Sequence, residues 1–172
     1  MADLNKNNHK KIILGIGSNL GDRSRFIENA IYELQIDLGL KNIKKSQIIE
    51  NSAMLLPNSP KEWNQDFLNI VISADINIVQ SSSSTVVFED ILKTIKNIEK
   101  RIGRIERSRW APREIDIDIL AIDNFHIAID DKLFIPHKGL FERDFFMSGF
   151  KEIEPKLFLR IEKIFTCQKS IN

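Results

Sequence analysis

Ile115-Asp116-Ile117-Asp118-Ile119-Leu120-Ala121 sets apolar residues at alternate positions and places two aspartates between the first three of them. A period of two marks a β-strand, whose successive side chains point to opposite faces of a sheet. One face of this strand is apolar and belongs against a core, while the other is acidic. The residues before it follow the helical period instead. Phe88, Ile91, Leu92, Ile95, Ile98 and Ile102 recur at helical spacing, with Glu89 and Asp90 in the first turn and Lys100 and Arg101 in the last. Those charges suit the helix dipole, and Gly103 stands where the helix should stop.

The same alternation of elements occurs earlier in the chain. Residues 12–16 form a short apolar run ending in glycines, as a buried strand feeding a turn would. Ile27, Ile31, Leu34 and Leu38 mark a helix over residues 23–38, capped by Asn19 or Asp22 and followed by Gly39. Residues 43–49 and 67–76 mix β-branched and aromatic residues over strand lengths. The order strand, helix, strand, strand, helix, strand predicts an α+β fold with a ferredoxin-like βαββαβ core, an antiparallel sheet with helices packed on one face. A short hairpin through Ile127 and Phe134 and helical material over residues 141–153 extend it at the C-terminal end. Residues 51–65, containing Pro57, Pro60 and Trp63, form a long loop, and a connection of that length is more often functional than idle. Residues 81–84, all serine, read as a loop and helix cap.

At 172 residues and 42% hydrophobic composition, the chain suits a single domain over residues 1–172, with residues 1–10 as a flexible N-terminus. Its 25 basic residues against 24 acidic ones leave a net charge of +1, with no general attraction to nucleic acid or an anionic membrane. The single cysteine, Cys167, excludes an internal disulfide and any zinc site built from cysteines. The polar start precedes too short an apolar run for a signal peptide, and no segment reaches the roughly 20 apolar residues of a membrane helix. We expect a cytoplasmic monomer with no membrane or nucleic-acid partner.

The chemistry concentrates between Gly103 and Asp118. Asp116 and Asp118, two positions apart on a strand, face the same way with Cα atoms about 6.6 Å apart. Such a pair suits Mg²⁺, which accepts a few carboxylates together with waters and substrate phosphates. Alone, the pair fits equally well a solvent-facing strand with two acids. The neighbourhood tips the balance, because Arg104, Arg107, Arg109 and Arg113, with Trp110 and Pro112 among them, lie between the helix stop and the acids. Guanidinium groups match phosphate oxygens and keep their charge, so cations, acids and metal together form a kit for phosphoryl transfer. Arg101 reads better as a solvated cation at a helix end. Farther on, Ile135-Pro136-His137 is followed by Arg143; a lone His137 more often satisfies its own loop, but beside a phosphate site it would donate to phosphate.

The glycines of Gly15-Ile16-Gly17-Ser18-Asn19-Leu20-Gly21-Asp22 have the wrong spacing for a dinucleotide fingerprint or a P-loop. They read as positions where backbone approaches a flat ligand. A ferredoxin-like module that binds RNA without turnover would place aromatics within a basic sheet surface, and the paired acids argue against it.

Taken together, Gly17-Ser18-Asn19-Leu20-Gly21-Asp22, Asn69, Glu99, Gly103-Arg104, the run from Arg109-Trp110-Ala111-Pro112-Arg113 to Asp116-Ile117-Asp118-Ile119-Leu120, Ile135-Pro136-His137, Arg143 and Phe145 resemble the 6-hydroxymethyl-7,8-dihydropterin pyrophosphokinase family of folate biosynthesis. The resemblance covers residues 12–155. It implies transfer of pyrophosphate from ATP to the hydroxymethyl group of the pterin, with AMP released and two Mg²⁺ ions held by Asp116 and Asp118. It further implies catalytic roles for Arg104, Arg113, Asp116 and Asp118. Glu99, Arg109, Trp110, Ile119, His137 and Arg143 would bind ATP, with Arg109 and Trp110 on a loop that closes over the site. Gly17, Asn51, Ser52, Met54, Phe67, Asn69 and Phe145 would bind the pterin. Three positions depart from the family pattern. Glu106 stands where a second arginine is common, with Arg107 next to it. Asn51-Ser52-Ala53 replaces a threonine-x-proline, and Lys138 replaces a frequent aromatic.

Overall fold

The computed structural model describes residues 8–78, 84–108 and 110–169. Strand β1 (His9–Ser18) buries Ile12, Leu14 and Ile16 on one face and Ile13 on the other, so it must lie inside the sheet with cover on both sides. It is flanked by β4 (Phe67–Asn77) and β5 (Asp116–Ile122), both antiparallel to it. Beyond β4 lie two short strands, β2 (Lys41–Lys45) and β3 (Ile49–Asn51), each paired antiparallel with it. The strand order β2-β4-β1-β5 is that of the ferredoxin-like core. A separate hairpin, β6 (Ile127–Ile129) with β7 (Leu133–Ile135), follows β5.

Helices α1 (Arg23–Asp37) and α2 (Ser84–Ile102) cover the face that carries Ile12, Leu14 and Ile16, in one continuous core with Leu34, Ile95 and Ile98. The two helices of the βαββαβ core thus lie on one face, as expected, and the C-terminal helical extension takes the other. Helices α3 (Asp144–Ile153) and α4 (Pro155–Lys169) cover part of the opposite face through Phe146, Phe150, Phe158 and Ile161, against Ile13, Val71 and Leu120. Helix α4 lies beyond the helical region that the sequence suggested. The close approach of α3 requires glycine: a Cβ on Gly149 would come within 2.7 Å of the Val71 side chain, and one on Gly15 within 2.5 Å of Phe146.

Three further boundaries differ from the sequence expectation. Strand β1 begins at His9, inside the stretch expected to be a flexible N-terminus, and residues 1–7 lie outside the described residues. The single strand expected over residues 43–49 is two, because the Ser46 hydroxyl accepts the Val71 amide proton at 3.0 Å and interrupts the ladder. The loop after β3 contains a 3₁₀ turn at Lys61–Trp63. Asp22, rather than Asn19, caps α1 by accepting the Arg25 amide proton at 3.2 Å. Most of the serine run lies outside the described residues. Among the described residues, no helix is long and apolar enough to cross a membrane.

Candidate active site

Strand register explains why one strip of the sheet is left open. Gly17 of β1 pairs with Asp116 of β5 on one side and Asn69 of β4 on the other, while Gly15 pairs with Asp118 and Val71. Cross-strand partners share a face, so two glycines without side chains separate the acids on β5 from Asn69 and Phe67 on β4. Helix α3 covers this face over Val71 and stops short of its other end. A cavity remains, walled by Phe67, Asn69, Asp116, Asp118, Arg143 and Phe145, with Trp110 and Arg113 at its margin. The glycines line the cavity and have a second, steric use. Their missing Cβ atoms admit Phe146 over Gly15 and the Asn69 amide over Gly17, where a Cβ would lie 2.6 Å from Asn69 Oδ1.

The acidic side of the cavity is held by arginines. Arg104 and Arg113 each bond one carboxylate oxygen of Asp116, Arg113 at 3.0 Å. Arg104 also reaches Glu99 at 2.9 Å and donates to the Ile115 carbonyl at 3.2 Å. Burial pushes the Asp116 carboxyl upward, but Arg104 and Arg113 outweigh it and hold the group below its ordinary range. Asp118 behaves in the opposite sense. Burial and the neighbouring Asp116 charge raise it, with His137 3.9 Å and Arg143 3.5 Å away offsetting only part of the effect. Two carboxylates on one face, one of them destabilised by its neighbour, fit a cation that keeps water and phosphate oxygens for its remaining ligands. Among the described residues there is no group of three or more His, Cys, Asp or Glu residues that could form a closed protein cage.

His137 sits on the loop after β7, its amide donating to the Leu120 carbonyl at 2.9 Å. Its Nδ1 accepts the Gly139 amide proton at 3.1 Å, which leaves Nε2 as the protonated nitrogen on the side of Asp118. Burial lowers its pKa, against the opposing pull of the Asp118 charge.

Of the residues singled out from sequence, Gly17, Asn51, Ser52, Met54, Phe67, Asn69, Trp110, Arg113, Asp116, Asp118, Arg143 and Phe145 line one cavity. Glu99, Arg104, Ile119 and His137 do not line it. Glu99 is almost fully buried behind Asp116, accepting from the Ile117 amide at 2.8 Å and from Lys96 at 3.0 Å, and burial raises its pKa. The Ile119 side chain belongs to the core beneath α1 and α2. Arg109 lies outside the described residues.

Several contributors were missed. Phe146 joins the cavity wall, tilted against Phe145 at 4.4 Å between ring centroids, and Ala53 joins it too. The phenylalanine pair was visible in sequence, but only the fold shows that both rings face the strip. Asn19 ties the arginine segment to the long loop, accepting from the Arg113 amide at 2.8 Å and donating to the Gln65 carbonyl at 3.1 Å. Asn51 accepts from the Asn69 side-chain amide at 2.6 Å, which fixes the edge of the cavity away from the acids.

A ferredoxin-like domain with guanidinium-bound acids at one end of an open strip and an aromatic, amide-edged slot at the other defines a class: enzymes that bring a polyanionic ligand against a flat one. The chain belongs to the 7,8-dihydro-6-hydroxymethylpterin-pyrophosphokinase family, whose family model matches residues 13–155. It is 37% identical over 146 residues to a 2-amino-4-hydroxy-6-hydroxymethyldihydropteridine pyrophosphokinase of Aquifex aeolicus, covering 85% of this chain and 81% of that protein. It is 36% identical over 151 residues to a folate synthesis bifunctional protein of Chlamydia muridarum, covering 87% of this chain but 32% of the relative, so it spans about a third of that protein. A crystal structure of an HPPK-DHPS in complex with substrates shares the fold, with a TM-score of 0.57 at 14% identity over 87% of this chain and 40% of the other.

Proposed function

We propose that this chain transfers a pyrophosphoryl group from ATP to the hydroxymethyl oxygen of 6-hydroxymethyl-7,8-dihydropterin, with AMP as the second product. The observation that carries this reading is that the paired acids, Arg113 and the aromatic–amide slot open onto one strip of one sheet, with Arg104 bonded to Asp116 at its side. The flat pterin suits the slot, with Phe67 and Phe145 against its faces and Asn69 and Asn51 reading its edge. Gly17, Ser52 and Met54 complete that end through backbone and loop contacts. ATP belongs at the other end, where Arg104 and Arg113 would face its phosphates and His137 and Arg143 its nucleotide side. Glu99 and the backbone at Ile119 support this end from behind, and Arg109 and Trp110 belong to the loop that closes over it.

In the reaction the pterin hydroxyl oxygen bonds to the β-phosphorus, and the bond from that phosphorus to the oxygen bridging the α-phosphate breaks. AMP leaves with the bridging oxygen, and the hydroxyl proton passes to solvent. The protein contributes positioning and fixed positive charge. Guanidinium groups already held in place by Asp116 and Glu99 need little reorganisation when charge builds on the leaving AMP. Two Mg²⁺ ions held by Asp116 and Asp118 would, when bound, neutralise the phosphates. Closure of the segment carrying Trp110 would exclude water, which competes with the pterin hydroxyl.

We further read residues 1–172 as one catalytic domain acting as a cytoplasmic monomer. The lysines of the edge strand β2, Lys41, Lys44 and Lys45, support this because charged edges resist pairing with a second sheet. The test is AMP release from purified protein supplied with ATP, Mg²⁺ and the hydroxymethyl dihydropterin. Wild type releases AMP, while Asp116→Asn and Asp118→Asn lose ~10²-fold or more and keep wild-type circular dichroism. Absence of AMP from wild type overturns the function, and normal release by either variant overturns the metal assignment.

A further inference from the structure

The segment between α2 and β5 is stitched at its neck by a pair that no step of the proposed reaction uses. Arg107 grips Glu114 with both arms of its guanidinium, NH2 to Oε1 at 2.6 Å and NH1 to Oε2 at 2.9 Å. The Glu114 carboxylate also accepts the Ile105 amide proton at 3.3 Å, and Arg107 reaches the Pro112 carbonyl at 3.4 Å. Beyond the neck, the Ala111 amide closes a turn on the Ser108 carbonyl at 3.0 Å. Residues 105 and 107 on the outgoing limb are therefore tied to 112 and 114 on the returning one. Arg104 and Arg113 are the neighbours of this stitch on each limb, and they bond opposite oxygens of Asp116.

We infer that Arg107 and Glu114 form a clamp that sets the spacing of Arg104 and Arg113 across Asp116, making both of them positioning residues for this site. The segment has little backbone ladder to fix its width; Asn19 anchors the Arg113 backbone to the end of β1, and the planar bidentate pair ties the two limbs to each other. Glu114 suits this task because its side chain is only 12% exposed, whereas that of Arg107 is 32% exposed. A bidentate guanidinium–carboxylate pair fixes orientation as well as distance, which a lysine could not. The competing role for Arg107 follows from its place beside Glu106: a nucleotide ligand that Glu114 holds in reserve. The two roles predict opposite signs for Glu114.

The test uses Arg107→Gln, Glu114→Gln and the R107Q/E114Q double variant. The first measurement is calorimetric binding of Mg²⁺ with the α,β-methylene analogue of ATP. The clamp predicts that each single variant weakens binding by a similar factor, roughly 5- to 10-fold, and that the double variant is no worse than either. Tighter binding by Glu114→Gln alongside weaker binding by Arg107→Gln overturns it, as do losses that multiply in the double variant or unchanged binding in all three. The second measurement is hydrogen exchange at the Ile105 amide without nucleotide. Exchange about tenfold faster in each single variant supports the clamp, and an unchanged rate overturns it. The catalytic consequence rests on the pyrophosphokinase reading, but the exchange measurement does not. A wild type that binds no nucleotide would defeat that reading and leave the clamp to be judged on exchange alone.

Discussion

Gly17 and Asn69 show how one absent methyl group arranges a recognition edge. With no Cβ at Gly17, the Asn69 amide lies flat over β1 and donates to Asn51 at 2.6 Å, so its orientation is fixed before any ligand arrives. That preorganisation is legible in sequence only as a glycine and an asparagine 52 positions apart, since neither residue carries a signal for the other. The arginines divide in the same way. Their number and type could be read from the chain, but which one is bound to Asp116 and which is bound to Glu114 depends on how the segment folds back on itself. Phe145 lines the cavity and packs against Phe146. Phe145→Ala should weaken binding of the hydroxymethyl dihydropterin about tenfold or more while leaving the fold intact, because it removes an aromatic wall without breaking a hydrogen bond. Unchanged affinity by calorimetry would take Phe145 out of the slot.

Among the elements, α3 depends most on a single position. Gly149 is a poor helix residue, and alanine would ordinarily favour the helix by up to about 1 kcal/mol. Here the added Cβ would meet Val71 Cγ2 at 2.7 Å and Val71 Cβ at 2.9 Å, both on a buried central strand that cannot easily retreat. Overpacking of that kind costs about 1–3 kcal/mol and should outweigh the propensity gain. Gly149→Ala is expected to lower the denaturation midpoint in urea, and a raised midpoint would mean that α3 can step away from the sheet. The strands and helices of the βαββαβ core were readable because their apolar periods agree with the faces they bury. The break between β2 and β3 was not, because it depends on the Ser46 hydroxyl meeting the Val71 amide on another strand.

Across the whole molecule, one polar network joins the far ends of the chain. Lys11 on β1 pairs with Asp75 on β4, Lys44 on β2 reaches Glu154 at 2.8 Å, and the Ser73 hydroxyl donates to the same carboxylate at 3.0 Å. Glu154 stands at the junction of α3 and α4, so this network pins the second helical layer to the sheet edge. The Lys11 hydrogen bond holds the Asp75 carboxyl below its ordinary value; for Glu154, burial acts upward but Lys44 and Ser73 prevail and lower it. The unfolded chain therefore binds protons at a higher pH than the folded one. The stabilisation is complete above the ordinary carboxylate values of 3.8 and 4.5 and is lost as pH falls through the depressed ones. Asp75→Asn should melt about 2–4 °C below wild type at pH 7, equivalent to roughly 1 kcal/mol, and the gap should close as pH falls below 4. A gap independent of pH would show that the ion pair is not its source.

By itself, the sequence determined the order of elements, the acidic strand, the arginine-rich approach to it and the family, because each of these is written in local period, residue type or spacing. Tertiary structure decided what those residues do together. It set helices on both faces of the sheet, left one strip uncovered, and turned two glycines into seats for Phe146 and Asn69. It also assigned Arg104 and Arg113 to Asp116 and Arg107 to Glu114. The physical reason is that local periodicity reports which face of an element is buried. The width of a cavity and the partner of a charge depend on where separate elements stop and how closely they approach.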